Sequence, residues 1–172
     1  AVQLGRSGFE RLVAFGSLSK RSNAPGLRSG FVAGDAAVLK QFLLYRTYHG
    51  TALGPAVQAA SVAAWRDEAH VVDNRRRYAA KFRHATPIVQ QVLRTDMPDA
   101  AFYLWARTPI DDAEFARRLH DRFNVTVLPG SFLSRTRAGF NPGAGFVRIA
   151  LVAEETEVME AARRIAEFGR SL

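Results

Sequence analysis

The sequence predicts an α/β fold, because short apolar runs of strand length alternate with longer segments of helical periodicity. The first two apolar runs are residues 12–15 and 31–34, and both predict buried strands. A turn-rich stretch with Asn23, Pro25 and three glycines separates them. A chain of 172 residues is long enough for one domain, or for one domain and a piece of another.

Three helical segments follow the second predicted strand. Residues 36–45 predict a helix that Asp35 caps, residues 55–67 predict a second helix after a break, and residues 69–93 carry the longest helical pattern. Pro87 interrupts this third segment, because proline lacks the N–H that a helix interior requires. We therefore expect a kink or a break near residues 85 and 86, and a domain boundary at the same place.

Beyond Pro98 the pattern alternates between strand and helix, which predicts a small second α/β domain. The predicted elements are a strand at 102–105, a helix at 111–123 with Asp111 or Asp112 as its cap, strands at 126–128 and 146–152, and a helix at 155–168. Residues 134–145 are rich in Arg, Gly, Asn and Pro and predict a mobile surface loop.

The composition narrows the possible functions. The formal net charge of +8 comes mainly from arginines that are spread along the chain without an aromatic RNA-binding motif, so we expect no nucleic-acid partner. The absence of cysteine excludes disulfides and thiolate metal sites and fits a cytoplasmic location. No apolar run approaches the length of a membrane span, so no membrane partner is expected.

The most informative segment is residues 17–30, which places Lys20 in a turn between the two predicted strands. Hydroxyl groups stand one and three residues before the lysine, at Ser19 and Ser17, and Arg28 follows eight residues after it. A lysine amine forms a Schiff base when it is neutral, which partial burial and nearby cations favour. Hydroxyls and a guanidinium at opposite ends of one turn suit a phosphate. This combination is what pyridoxal phosphate requires, whereas the alternative is a solvated lysine beside an incidental arginine.

This segment closely resembles the cofactor-lysine signature of class I and II (fold type I) aminotransferases. The resemblance implies that Lys20 forms the internal aldimine with pyridoxal 5′-phosphate and later shuttles a proton between the substrate α-carbon and the cofactor. It also implies that Ser17 and Arg28 contact the cofactor phosphate, with Ser19 as a third contact. Ser29 departs from the pattern, since many members have an apolar residue there.

Arg148 lies among apolar residues in the last predicted strand, where a desolvated guanidinium needs an anion. The sequence alone leaves two anions open, a structural carboxylate and a ligand carboxylate. The resemblance implies the second, because the family places its substrate-carboxylate arginine in such a strand. Residues 128–132 resemble the turn that lines the family's substrate pocket, and residues 101–105 resemble its small-domain strand.

The resemblance covers essentially the whole chain, but family members are much longer on the N-terminal side. It implies the C-terminal portion of a fold type I transferase, with the end of the large cofactor-binding domain at residues 1–85 and the small α/β domain at residues 86–172. The chain begins with neither an initiator methionine nor a signal peptide, which fits this expectation. We expect the fragment alone to be inactive and the full-length enzyme to be a homodimer with small-molecule substrates.

Three tracts resemble the bacterial succinyldiaminopimelate aminotransferase group within that family, namely residues 19–23, 45–50 and 102–109. This implies transamination between an amino acid and a 2-oxo acid in lysine biosynthesis. Specificity for aspartate, aromatic amino acids or acetylornithine stays open, as does a catalytically silent truncated protein. The four histidines lack ligand-spaced partners, so we expect structural roles for them, no metal site, and no Ser–His–Asp arrangement.

Overall fold

The computed structural model describes residues 9–50 and 52–172 of the chain. Residues 1–8 of the predicted first domain, and Thr51 in the predicted break between helices, lie outside the described residues. The chain divides into two compact units between Asn74 and Arg75, within the 21-residue helix Ala69–Val89. The domain boundary that the sequence predicts at residue 85 lies further along this helix and stays a prediction.

The first unit contains a two-stranded antiparallel sheet, formed by β1 (Val13–Ser17) and β2 (Gly30–Gly34). The strands pair in register from Val13 opposite Gly34 to Ser17 opposite Gly30. Between them the chain forms a short helix, α1 (Leu18–Arg21), and a 3₁₀ turn at Pro25–Leu27. The two strands therefore occur where the apolar runs predict them.

The expectation that both strands are buried is wrong within the described residues. Phe15 of β1 is 75% exposed and Phe31 of β2 is 49% exposed. Phe15 meets Phe42 edge-on, at 6.4 Å between ring centroids, and Phe31 packs against Trp65 at 5.0 Å. A two-stranded ribbon presents two faces, and the helices of this unit cover each of them only in part.

Three longer helices follow β2 along the chain, α2 (Ala36–His49), α3 (Pro55–Arg66) and α4 (Ala69–Val89). Asp35 caps α2 as predicted, because its carboxylate accepts hydrogen bonds from the backbone N–H groups of Ala37 at 2.8 Å and Val38 at 3.2 Å. The backbone N–H of Arg11 donates to the same carboxylate, and this bond together with those of the cap lowers the pKa of Asp35.

α4 continues through Pro87 to Val89, so the predicted break does not occur. Proline deprives the carbonyl of Arg83 of its helical donor. The residues on either side are buried, however, with Ala85 at 0% and Val89 at 1% exposure. Gln90 also donates its backbone N–H to the carbonyl of Thr86 at 2.9 Å, which keeps the end of the helix regular. Core packing thus outweighs the loss of one backbone hydrogen bond.

The second unit contains a three-stranded antiparallel sheet, with β3 (Tyr103–Arg107) and β4 (Leu128–Pro129) on either side of β5 (Phe146–Ala150). Two amphipathic helices, α5 (Asp112–Phe123) and α6 (Glu155–Arg170), bury their apolar faces in the same core as the end of α4. This core contains, among others, Val89, Leu104, Phe115, Leu119, Val147, Ile149, Val158, Ile165 and Phe168.

Side chains alternate between the two faces of this sheet, as the period of a strand requires. Val147 and Ile149 of β5 point into the core, whereas Phe146, Arg148 and Ala150 lie on the opposite face and are less buried. That second face is called the open face below, and it also carries Tyr103 and Trp105 of β3. Among the helices of the described residues, none is long and apolar enough to cross a membrane.

Candidate functional site

Lys20 lies in α1, at the end of the hairpin where β1 stops and the chain turns towards β2. Ser17 is the N-cap of α1, and its Oγ accepts a hydrogen bond from the backbone N–H of Ser19 at 3.1 Å. The same Oγ donates to the carbonyl of Ser29 at 3.4 Å, and the backbone N–H of Leu18 donates to that carbonyl at 3.1 Å. Both ends of the lysine turn are thereby held together.

Arg28 stands at the other end of this turn, in the left-handed backbone conformation with φ 51° and ψ 33°. A side chain in this region costs of order 1 kcal/mol, so the conformation indicates a constraint that the surroundings maintain. The Nη1 atom of Arg28 donates to the carbonyl of Pro25 at 3.0 Å. Because Ser17 pairs with Gly30, Arg28 and Ser17 come to the same end of the hairpin.

The donor set of the lysine turn fits an anionic cofactor such as pyridoxal 5′-phosphate. Residues 17–30 contain Lys20, Arg21 and Arg28 but no acidic residue. Ser17, Lys20 and Arg28 are exposed and Ser19 is half-buried, so hydroxyl and guanidinium donors are accessible to a phosphate. The partial burial that the sequence analysis invoked for Lys20 is not found in the described residues.

The other two lysines have different surroundings. Lys81 on α4 is 8% exposed and donates from Nζ to the carbonyls of Val152 and Ala153, the first at 3.4 Å. Its Nζ also lies 5.0 Å from the centre of the Tyr78 ring, so this amine holds α4 to the end of the sheet. Lys40 lies on the surface of α2.

Ser29 stands where many members of the family have an apolar residue. The residue is 5% exposed, and its hydroxyl is hydrogen-bonded to another serine. The Oγ of Ser61 on α3 is in hydrogen-bond contact with the Oγ of Ser29 at 2.7 Å and with the carbonyl oxygen of Val57 at 2.6 Å. A buried hydroxyl without a partner would cost free energy, and this pair avoids that cost. The departure at Ser29 is therefore matched by a second polar residue that the sequence alone did not connect to it.

Arg148 lies on the open face of the second unit, half-buried rather than enclosed by apolar residues. Its Cζ lies 5.6 Å from the centre of the Tyr103 ring, and it stands opposite Trp105 on one side and Leu128 on the other. Across residues 9–50 and 52–172, no carboxylate lies within ion-pair distance of Arg148. The sequence left open a structural carboxylate as the partner of Arg148, and none is found among these residues.

The predicted turn at residues 128–132 lies directly beside Arg148, because β4 pairs with β5. Gly130 in this turn has no room for a side chain, since an added Cβ would lie 2.3 Å from the carbonyl oxygen of Gly143 and 2.7 Å from the ring of Trp105. The structure thus brings Arg148, this turn and two aromatic rings together, with Trp105 and Phe146 stacked at 5.5 Å. Lys20 and the phosphate donors lie in the other unit.

Asp112, a possible helix cap by its sequence position, has a different role in the structure. Asp111 is the cap, accepting from the backbone N–H of Glu114 at 3.0 Å, whereas Asp112 is 1% exposed. The Asp112 carboxylate accepts from the backbone N–H groups of Ser131 at 2.8 Å and Gly145 at 3.1 Å. Burial alone would raise the pKa of Asp112, but hydrogen bonding from the Ser131 side chain, then from the backbone of Ser131 and Gly145, outweighs burial and lowers that pKa.

The loop at residues 134–145 occurs where predicted, and its two ends are fixed by hydrogen bonds. The Oγ of Ser134 is in hydrogen-bond contact with the carbonyl oxygen of Gly130 at 2.9 Å and with Oδ1 of Asn141 at 2.7 Å. Asn141 in turn donates to the carbonyl of Ser131 and accepts from the N–H of Gly143. The turn beside Arg148 is therefore held both by Asp112 and by the loop.

The structure corrects the expectation that the chain has no Ser–His–Asp arrangement. The Nε2 of His70 lies 2.9 Å from the Oγ of Ser22, and its Nδ1 lies 2.7 Å from Oδ2 of Asp67. The expectation of a structural or surface role fits His84, which pairs with Glu155 at 2.7 Å. Across the part of the chain that the structure describes, no cluster of side chains could hold a metal ion.

Comparisons with known proteins point to one family. The model of the family "Aminotransferase class I and II" matches residues 3–165. A probable aminotransferase of Mycobacterium tuberculosis is 36% identical over 156 residues, covering 90% of this chain and 35% of that protein. The crystal structure of an aminotransferase from Neisseria meningitidis superposes with a TM-score of 0.87 and 56% identity, covering 98% of this chain and 43% of that one.

A structure titled as a probable N-succinyldiaminopimelate aminotransferase from Thermus thermophilus superposes with a TM-score of 0.79 and 36% identity, covering 92% of this chain and 42% of that one. The chain thus spans less than half the length of each of these proteins. Its α/β structure corresponds to a part of an aminotransferase chain.

Proposed function

Because this chain belongs to the class I and II aminotransferase family, we propose that its protein transfers an amino group from an amino acid to a 2-oxo acid, with Lys20 as the cofactor-bearing residue. The family depends on pyridoxal 5′-phosphate. The observation that carries the proposal is the acid-free turn at residues 17–30, which presents one exposed lysine among hydroxyl and guanidinium donors.

Each group in the lysine turn has a distinct role. Bound pyridoxal 5′-phosphate supplies an electron sink for the electrons released at the amino acid α-carbon. Lys20 would hold the cofactor through its amine, and the same amine would take up and return the α-proton of the amino acid. Ser17, Ser19 and Arg28 would hold the cofactor phosphate, and the planar guanidinium of the arginine could offer it two hydrogen bonds.

Arg148 supplies the substrate contact in this proposal. A guanidinium grips a carboxylate with two parallel hydrogen bonds, which orients the α-carbon as well as binding it. Its half-exposed position and the absence of a carboxylate partner among the described residues leave the guanidinium available for a ligand. The rings of Tyr103 and Trp105 lie beside the guanidinium on the same face of the sheet.

We propose succinyldiaminopimelate as the amino donor, which would place the protein in lysine biosynthesis. The support is the likeness to the Thermus thermophilus structure and the three tracts that resemble this group. In this proposal residues 1–85 end the large cofactor-binding domain and residues 86–172 form the small domain of a cytoplasmic homodimer. A donor panel tests the substrate: kcat/KM should be higher for succinyldiaminopimelate than for aspartate, aromatic amino acids or acetylornithine.

The assignment of Lys20 is tested by reducing the cofactor-loaded full-length protein with borohydride and mapping the modified peptide by mass spectrometry. The pyridoxyl adduct should lie on Lys20, because this lysine has phosphate donors beside it. Lys81 is the internal control, since its amine is already engaged by backbone carbonyls. An adduct on Lys40 or Lys81 in place of Lys20 would refute the assignment.

A further inference from the structure

The three residues that follow Lys20 all attach to one segment, the end of α3 and the start of α4. Arg21 donates from Nη1 to the carbonyl of Ala64 at 2.8 Å, pairs with Glu68, and lies over the Trp65 ring at 4.8 Å. The side chain of Asn23 donates to the side chain of Asn74 at 2.8 Å. Ser22 lies between them and contacts His70. This set of contacts is called the α3–α4 anchor below.

The contact at the centre of the anchor is a chain of three side chains. An ionised carboxylate only accepts hydrogen bonds, so Nδ1 of His70 donates to Asp67, and Nε2 on the other side of the ring contacts the hydroxyl of Ser22. Asp67 also accepts from the backbone N–H of Ala69 at 2.9 Å, and the bond from His70, followed by that from Ala69, lowers the pKa of Asp67. His70 is thus oriented from one side and holds Ser22 with the other.

Ser22 is also the C-cap of the turn that carries Lys20. Its backbone N–H donates to the carbonyl of Leu18 at 3.0 Å, and the N–H of Ala24 donates to the same carbonyl at 3.2 Å. A helix of four residues cannot maintain itself by its own hydrogen bonds. The backbone position of Lys20 is therefore set by two held residues, the fully buried Leu18 two residues before it and Ser22 two residues after it.

We propose that His70 is a positioning residue for Lys20, acting through Ser22 to fix the lysine turn against the junction of α3 and α4. This rests on the proposed function of Lys20. A lysine side chain is long and rotates freely, so its amine reaches a constant position only if its backbone is fixed. Small displacements of a reacting group lower rates strongly, and His70 prevents such a displacement without touching the cofactor.

Two substitutions in the full-length protein separate the two hydrogen bonds of His70. The amide of glutamine reaches the position of Nε2, so His70→Gln keeps a bond to Ser22. The shorter asparagine reaches only the position of Nδ1, so His70→Asn keeps the bond to Asp67 and loses Ser22. His84→Asn is the matched control, because His84 pairs with a carboxylate at the same 2.7 Å but in the other unit.

The first measurement is amide hydrogen exchange of residues 17–24 without cofactor. His70→Asn should raise exchange at Ser22 and Ala24 by roughly fivefold to tenfold, as loss of one hydrogen bond predicts, while His70→Gln and His84→Asn leave it unchanged. Ser22→Ala should reproduce the effect, and in His70→Asn it should add no more than the loss of the longer contact at 3.4 Å between Arg21 Nη1 and the Ser22 hydroxyl. Unchanged exchange in His70→Asn, or equal changes in His70→Gln, would overturn the proposal.

The second measurement is the rate at which pyridoxal 5′-phosphate attaches to Lys20, trapped by borohydride and followed by peptide mapping. His70→Asn should slow this attachment by about tenfold, and His70→Gln should restore it. Normal attachment in His70→Asn overturns the positioning role while the function of Lys20 stands. An adduct on another lysine in the unaltered protein overturns the proposed function itself, which the exchange measurement does not depend on.

Discussion

Replacing Asp112 tests how the turn at residues 128–132 and the start of β5 are held beside Arg148. The buried carboxylate accepts one hydrogen bond from Ser131 at 2.8 Å and one from Gly145 at 3.1 Å. Hydrogen bonds to a charged group contribute about 1.5–3 kcal/mol each, so Asp112→Ala should cost about 3–6 kcal/mol. Asp112→Asn keeps one acceptor oxygen and turns its amide N–H groups towards the other donor, so it should cost about 2 kcal/mol.

Amide hydrogen exchange at Ser131 and Gly145 measures this loss where it occurs. A local free-energy change of about 1.4 kcal/mol corresponds to a factor of ten, so Asp112→Ala should raise exchange at both amides by at least about tenfold. Asp111→Asn is the neighbouring control, because asparagine also caps helices well and should leave both amides protected. Protection within about twofold of the original at both amides in Asp112→Ala would show that the carboxylate does not hold the turn.

Two further predictions concern charged side chains. Arg148→Lys in the full-length enzyme should lower kcat/KM by about 100-fold, because lysine keeps the charge and loses the two-pronged grip; a lowered melting temperature with an unchanged KM would contradict this. Glu114 has its pKa lowered to about 2 by hydrogen bonds from Arg117 and then Arg118. The ion pairs of Glu114 therefore stabilise the folded state fully above the unfolded pKa of about 4.3, and this stabilisation is lost as the pH falls towards 2. Glu114→Gln should flatten the dependence of the melting temperature on pH between about 2 and 5, and an unaltered slope would count against the pair.

Local sequence determined the positions of most secondary structure elements. Asp35 and Asp111 cap α2 and α5, and Asn124 ends α5 in the left-handed conformation with φ 50°. Each of these signals depends on hydrogen bonds between near neighbours in the chain, so the residues themselves carry the information. The lysine turn is similar, because its hydroxyls, its lysine and its arginine all lie within one short segment.

Burial was less predictable, because it depends on what covers an element. The apolar runs of β1 and β2 indicated strands correctly but gave no measure of the exposure of Phe15 and Phe31. In the same way, an arginine among apolar residues suggested an enclosed cation, whereas the alternation of β5 puts Arg148 on the open face. The break predicted at Pro87 was wrong for the same reason, since packing of α4 outweighs the helix-breaking effect of proline in an isolated helix.

The sequence by itself determined the chemistry of the lysine turn, and only the tertiary structure decided what holds that turn and the Arg148 strand in place. His70 and Ser22 are 48 residues apart, and Asp112 lies 33 residues from Gly145. Asp111 and Asp112 are adjacent and chemically identical, yet one caps a helix at the surface and the other is buried. Hydrogen bonds over such separations form only when packing brings the elements together, and no local pattern encodes that packing.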